Sequence, residues 1–128
     1  MMTRVSQSGT LLLIDDDHLV RNMLREVLES SGYMVIEAVD GEDGVDAFRN
    51  NMHCIKLIIS DVVMPKKNGK QVYDEVQQLK QDVKILFMSG YPFDLLDHKM
   101  IRDNRMNFIQ KPLRPSELLA KISNILDS

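Results

Sequence analysis

Short runs of branched and apolar residues alternate along this chain with segments whose apolar groups recur at helical spacing, and that alternation restricts the fold most. The runs are Thr10 to Ile14, Tyr33 to Val39, Ile55 to Ser60, Lys84 to Met88 and Asn107 to Gln110, each of strand length. The first, third and fourth contain LLLI, LIIS and KILFM, which are almost continuously apolar. A strand reads this way when it is covered on both faces inside a parallel sheet, whereas a half-wet sheet would show alternation.

Between the runs, Leu19, Val20, Met23, Leu24, Val27 and Leu28 put apolar groups on one helical face, and Ser30-Ser31-Gly32 marks its end. A second helix is predicted to start near Asp40, whose carboxylate can cap free N–H groups, and to run through Val45, Ala47 and Phe48. Val72, Val76 and Leu79 form a third stripe after Gly69, and a fourth, weaker segment covers Phe93 to Arg102. Pro115 suits the first turn of a last helix, ahead of Leu118, Leu119, Ile122, Ile125 and Leu126. All these stripes are expected to face the core. Five βα units in succession predict an α/β domain with a five-stranded parallel sheet, right-handed crossovers and helices on both faces.

With 128 residues the chain has room for one core. Met1 to Gly9 is expected to be a flexible tail, and residues 10–127 the domain. A net charge of −3, with no basic run longer than Lys66-Lys67, provides no footprint for nucleic acid. The single Cys54 cannot make an internal disulfide, and no Cys/His cluster suggests zinc. No stretch has the length of a signal peptide core or a membrane span, so a cytoplasmic protein is expected.

In a doubly wound sheet, ligands bind beyond the carboxyl ends of the strands, where neighbouring connections diverge. Asp15 and Asp16 follow the first predicted strand, Asp61 the third, Ser89 the fourth and Lys111 the fifth. Three carboxylates brought together repel one another unless a cation or a lysine offsets them. Mg²⁺ suits such a site, since it takes oxygen ligands and keeps waters that a phosphoryl oxygen can replace. Asp61 is then the candidate nucleophile toward phosphorus, Lys111 a point charge for the phosphoryl group, and Ser89 a hydroxyl donor to one of its oxygens.

Each residue also has a plainer reading. Asp17, the third aspartate of its run, is assigned to capping the helix that follows. Lys66 and Lys67 are read as a solvated loop, and His18, His53 and His98 as surface residues without ligand spacing. Met64 and Cys54 are read as packing residues. A nucleotide hydrolase or a flavin protein on a similar sheet is disfavoured, because there is no GxxxxGK[ST] loop and no Ser/Thr/Gly-rich loop after the first strand.

Four motifs in order, LLLIDDDHLVR, LIISDVVMPKKNG, FMSGYP and FIQKPL, resemble the receiver domains of two-component response regulators over Thr10 to Leu126. The resemblance implies a flavodoxin-like fold. It also implies a Mg²⁺ site of Asp15, Asp16, Asp61 and the backbone carbonyl of Val63, with phosphorylation at Asp61. The donor would be a phosphohistidine on a sensor histidine kinase or a histidine phosphotransfer domain. The family switch would couple Ser89 to Phe108, which stands where Tyr is common, and would alter the face made by the fourth helix, fifth strand and fifth helix. That face also makes a homodimer possible. The Lys111-Pro112 bond matches a cis peptide that directs the lysine into the site.

Gly90 and Tyr91-Pro92 depart from the commonest pattern, and FMSGY most resembles receivers attached to hybrid sensor kinases. The resemblance also implies that Val63 and Tyr91 flank the pocket, and neither offers an amide or carboxylate to position a hydrolytic water, so slow self-hydrolysis is expected. A receiver of this kind catalyses its own phosphorylation and is not a conventional enzyme; one signalling through binding alone is disfavoured by the complete set of Asp61, Ser89 and Lys111. The sequence leaves open whether the domain stands alone or belongs to a larger regulator.

Overall fold

The computed structural model describes residues 9–90 and 106–127. In chain order its elements are β1 (Thr10–Ile14), α1 (His18–Ser30), β2 (Met34–Ala38), α2 (Gly41–Asn51), β3 (Ile55–Asp61), α3 (Gly69–Leu79), β4 (Ile85–Ser89), β5 (Met106–Gln110) and α4 (Pro115–Leu126). The expected helical segment Phe93 to Arg102, together with Tyr91 and His98, lies outside the described residues. The last expected helix is therefore α4 in this numbering.

The strands form one sheet in the order β2-β1-β3-β4-β5, and every neighbouring pair is parallel. This is the flavodoxin-like arrangement expected from the sequence. The chain leaves β1 toward β2 on one side and returns to β3 on the other, so the carboxyl ends of β1 and β3 flank the point where the winding reverses.

The twofold side-chain period of a strand divides the core into two layers. Leu12, Ile14, Ile58, Ile85 and Phe87 pack with Phe48 of α2 and Val72, Tyr73 and Val76 of α3. Leu11, Leu13, Leu57, Ile59, Leu86 and Met88 pack with Leu24 and Leu28 of α1 and Leu118, Ile122 and Ile125 of α4. The central strands β1, β3 and β4 are covered on both sides, and this explains their unbroken apolar runs. Burying each such side chain contributes about 1.5–3 kcal/mol before chain entropy is counted.

The helix starts also follow from local sequence. Asp17 caps α1 by accepting from the N–H groups of Leu19 and Val20, and Asp40 caps α2 through the N–H of Asp43. Asn68 and Gln71 form a capping box at α3, while Pro115 opens α4. Gly9 is tied to the sheet, its carbonyl accepting from the Met34 N–H at 2.9 Å.

Three expectations about packing need correction, the first at Leu79, which is 36% exposed at the end of α3 while Val72, Tyr73 and Val76 face the core. Leu19 and Met23 do not face the core: they are 77% and 51% exposed, because α1 rests on Val20, Arg21, Leu24 and Leu28, and the adjoining row turns to water. Cys54 is exposed rather than packed, since it sits in the turn between α2 and β3 with its thiol toward the Asn51 carbonyl at 3.3 Å. Met64, by contrast, is buried in the α2/α3 layer. No helix among the described residues is long and apolar enough to cross a membrane.

Candidate functional site

Strand pairing carries two of the chemistry-bearing residues to the sheet's edge as the last members of their strands. Asp61 pairs with Met88 and Ser89 pairs with Gln110, so β3 and β4 each run one residue further than the sequence predicted. Asp15 leaves β1 with its N–H still donating to the Ala38 carbonyl of β2 at 3.2 Å. Lys111 leaves β5 with its N–H donating to the Ser89 carbonyl at 2.7 Å. The Lys111-Pro112 bond is cis.

These anchors bring the side chains together. One carboxylate oxygen each from Asp15, Asp16 and Asp61 lies within 4.8 Å of the others. Lys111 Nζ donates to Asp61 Oδ2 at 3.0 Å and stands 3.8 Å from Asp15 Oδ2. Asp61 Oδ1 accepts from the Val62 N–H at 3.0 Å. Asp61, Val62, Val63, Ser89, Gly90 and Lys111 line an open cavity of about 410 Å³ above the strand ends. Ser89 is buried and Val63 is exposed at the rim.

Asp15 is fully buried, and its two oxygens differ. Oδ1 accepts from the Asp17 N–H at 2.8 Å, whereas Oδ2 has no hydrogen-bond partner among the described groups. Burial pushes the Asp15 carboxyl above the usual carboxylate range; the Asp17 N–H and the Lys111 charge only partly offset this, and Asp61 and Asp16 add to the rise. For Lys111, burial pulls the ammonium down, but the hydrogen bond and charge of Asp61, with the charges of Asp15 and Asp17, hold it above the usual lysine value. The site thus has more negative charge than one ammonium can satisfy.

That imbalance fits a hard divalent cation. Mg²⁺ takes carboxylate oxygens as ligands, and three of them already lie within 4.8 Å of one another here. Asp15 Oδ2 is a buried acceptor left over for such an ion. Asp16 is exposed beside it and Asp17 is engaged with its helix, so neighbouring aspartates have separate tasks.

The loop after Asp61 is held close. The Gly69 N–H donates to the Val62 carbonyl at 2.7 Å, and Lys66 adopts a left-handed backbone with φ 69°. A Cβ on Gly69 would stand 2.8 Å from the Asp61 carbonyl and 2.7 Å from the Phe87 ring, so only glycine lets α3 approach this near. Phe87 in turn stacks on Phe108, with ring centroids 5.4 Å apart and an interplanar angle of 29°.

Two residues at the site were not singled out from sequence. Arg21 is 9% exposed and donates from Nη1 to the Asp15 carbonyl at 2.8 Å. Glu37 of β2 accepts from Arg21 Nε at 3.1 Å and from Arg25 Nη1 at 2.9 Å. The available signal was a charge at core-facing spacing from Leu24 and Leu28, matched by an opposite charge inside MVIEA. His18 contacts Arg21 and Asn22, and His53 is exposed.

The family model for the response regulator receiver domain matches residues 11–123. The chain is 30% identical to sensor kinase CckA of Brucella abortus across 98% of its own length and 13% of that kinase. It is 29% identical to chemotaxis protein CheY of Treponema pallidum, covering 91% of this chain and 81% of that one. Among solved structures, the receiver domain from hybrid histidine kinase CckA superposes with a TM-score of 0.80 at 28% identity, covering 92% of this chain and 99% of that chain.

Proposed function

The chain belongs to the response regulator receiver domain family, the phosphoacceptor modules of two-component signalling, and on that premise we propose that Asp61 is the residue that takes the phosphoryl group. The observation that carries this reading is the meeting of three carboxylates with the Lys111 ammonium, 3.0 Å from Asp61.

In this mechanism an Asp61 oxygen attacks the phosphorus of a phosphohistidine on a sensor histidine kinase or a histidine phosphotransfer domain. The O–P bond forms as the P–N bond breaks, and the imidazole departs carrying a proton. Lys111 shifts its hydrogen bonding from the carboxylate toward a phosphoryl oxygen, and the Ser89 hydroxyl donates to another. Asp15, Asp16, Asp61 and the Val63 carbonyl would hold a Mg²⁺, which would supply further positive charge for the phosphoryl oxygens. The domain catalyses its own modification and acts on no separate substrate.

The output follows from strand neighbours. Ser89 ends β4 two residues after Phe87, whose ring lies against Phe108 of β5. Movement of Ser89 toward a phosphoryl group would free Phe108 to turn inward and reshape the face of β5 and α4. That face is also where weak homodimerisation would be strengthened. Val63 offers no group to orient a hydrolytic water, so the phosphorylated form is long-lived; loss of the acid-labile phosphate within seconds would contradict this. We assign the domain to the cytoplasm, where such kinases phosphorylate their partners.

The test is incubation with acetyl phosphate and Mg²⁺ followed by intact mass. Wild type is expected to gain one phosphoryl group, and chelation of the metal to prevent it. An Asp61→Ala protein that still gained the group would refute the assignment.

A further inference from the structure

Two charged side chains interrupt otherwise apolar surroundings. Arg21 lies on the core-facing side of α1 with Leu24 and Leu28, and Glu37 sits within the branched run of β2. Charges in such positions are destabilising unless they are paired and hydrogen-bonded. Arg21 meets that requirement on three sides: Nη1 donates to the Asp15 carbonyl at 2.8 Å, Nε donates to Glu37 Oε1 at 3.1 Å, and Nη2 stands 3.3 Å from His18 Nδ1. Arg25 holds the other Glu37 oxygen at 2.9 Å. A single planar fork therefore joins the end of β1, the first turn of α1 and the neighbouring strand β2.

The carbonyl that Arg21 grips belongs to the peptide linking Asp15 to Asp16. Its orientation fixes the direction in which the chain leaves the buried carboxylate and enters the exposed one. Asp15 is also held through its N–H to the Ala38 carbonyl and through Oδ1 to the Asp17 N–H. With those three atoms engaged, Oδ2 alone is left facing Lys111 and Asp61.

We propose that Arg21, clamped by Glu37, is a positioning residue that orients the Asp15-Asp16 peptide so that both carboxylates meet a divalent cation. It makes no contact with the cation itself. An apolar side chain of similar length would leave the Asp15 carbonyl buried without its donor and the peptide free to turn. A lysine, with one point charge in place of a fork, could reach the carbonyl or Glu37 but not hold both.

This role rests on the acidic cluster being the cation site proposed above, and direct binding separates the two. Mg²⁺ alone is titrated calorimetrically into wild type, Arg21→Met, Arg21→Lys and Glu37→Gln, with thermal melts in chelator to confirm folding. Arg21→Met is expected to weaken Mg²⁺ affinity about 10- to 100-fold, Arg21→Lys and Glu37→Gln by less. The acetyl phosphate reaction at saturating Mg²⁺ should stay within a few-fold of wild type, since the reacting groups are untouched. A folded Arg21→Met protein with wild-type Mg²⁺ affinity overturns the proposal, as does a loss of saturated rate with affinity unchanged. Should Arg21→Met not fold, Glu37→Gln decides, and unchanged affinity there overturns it. Failure of wild type to bind Mg²⁺ would instead sink the cation-site reading.

Discussion

Lys111 and Asp61 are 50 residues apart in sequence and 3.0 Å apart in space. Strand order produces the meeting, because β5 and β3 flank β4 and both chains emerge at the same end of the sheet. The ammonium also lies 3.8 Å from Asp15, so one cation is shared between carboxylates that would otherwise repel. Without metal, Lys111 is the principal charge holding this rim together.

Lys111→Met should therefore destabilise the metal-free protein by about 1–2 kcal/mol at neutral pH. The folded state holds the Lys111 proton more tightly than the unfolded chain does, since the pull of Asp61 and the other carboxylates exceeds the effect of burial. Its contribution is complete below the ordinary lysine value and is lost as pH rises through the raised folded value. Urea melts of wild type and variant in chelator should keep a constant gap from neutral to mildly basic pH and converge in strong base. A gap that widened with pH would contradict the pairing.

Asp15 should behave in the opposite sense. Its folded pKa is raised mainly by burial, so stability falls as pH climbs from the ordinary carboxylate value through the folded one. Asp15→Asn removes that cost and should raise the melting temperature in chelator at neutral pH. The gain should vanish below the ordinary carboxylate range, where the wild-type group is neutral in both states. Added Mg²⁺ should stabilise wild type and not Asp15→Asn, reversing their order. A metal-free variant melting below wild type at neutral pH would show that burial is not the dominant effect.

Adjacent aspartates should separate cleanly in the same assays. Asp17 accepts from the Leu19 and Val20 N–H groups at 3.0 and 3.2 Å, so Asp17→Ala should cost about 1 kcal/mol of stability and leave Mg²⁺ affinity unchanged. Asp16 is exposed and belongs to the acidic cluster; Asp16→Ala should change stability by no more than about 0.5 kcal/mol while abolishing Mg²⁺ binding and phosphorylation. Calorimetric titration beside urea melts reads both effects, and a swapped outcome would mean the two roles are exchanged.

How far the sequence could be read depended on whether the interaction lay within one element or between two. The buried strands were legible because coverage on both faces leaves no polar positions, as in Leu11 to Ile14 and Leu57 to Ile59. Asp15, Asp16, Asp61 and Ser89 could be picked out because each follows or closes such a run, and Lys111 because it follows the partly exposed edge strand β5. Arg21 and Glu37 were missed, since they lie 16 residues apart and a reading by periodicity takes charge as a mark of solvent, although their positions inside apolar patterns were a usable signal. Leu19 and Met23 failed for the converse reason: spacing registers an apolar side chain but not whether anything covers it.

The glycines flanking the pocket provide the last contrast. At Gly69 an added Cβ would stand 2.8 Å from the Asp61 carbonyl and 2.7 Å from Phe87, so α3 or the end of β3 must shift. Gly69→Ala should cost about 1–3 kcal/mol, as overpacking does, and should slow the acetyl phosphate reaction because the displaced backbone carries Asp61. At Gly90 no described atom lies within 4 Å of the same Cβ, and the backbone is outside the left-handed region. Gly90→Ala should therefore gain about 0.4–1 kcal/mol through the unfolded chain alone. The small phosphodonor should still react with it, because the cavity loses one methyl group of space at its open rim. If both variants reacted as fast as wild type, the approach of α3 to Asp61 would matter for packing and not for the position of the carboxylate.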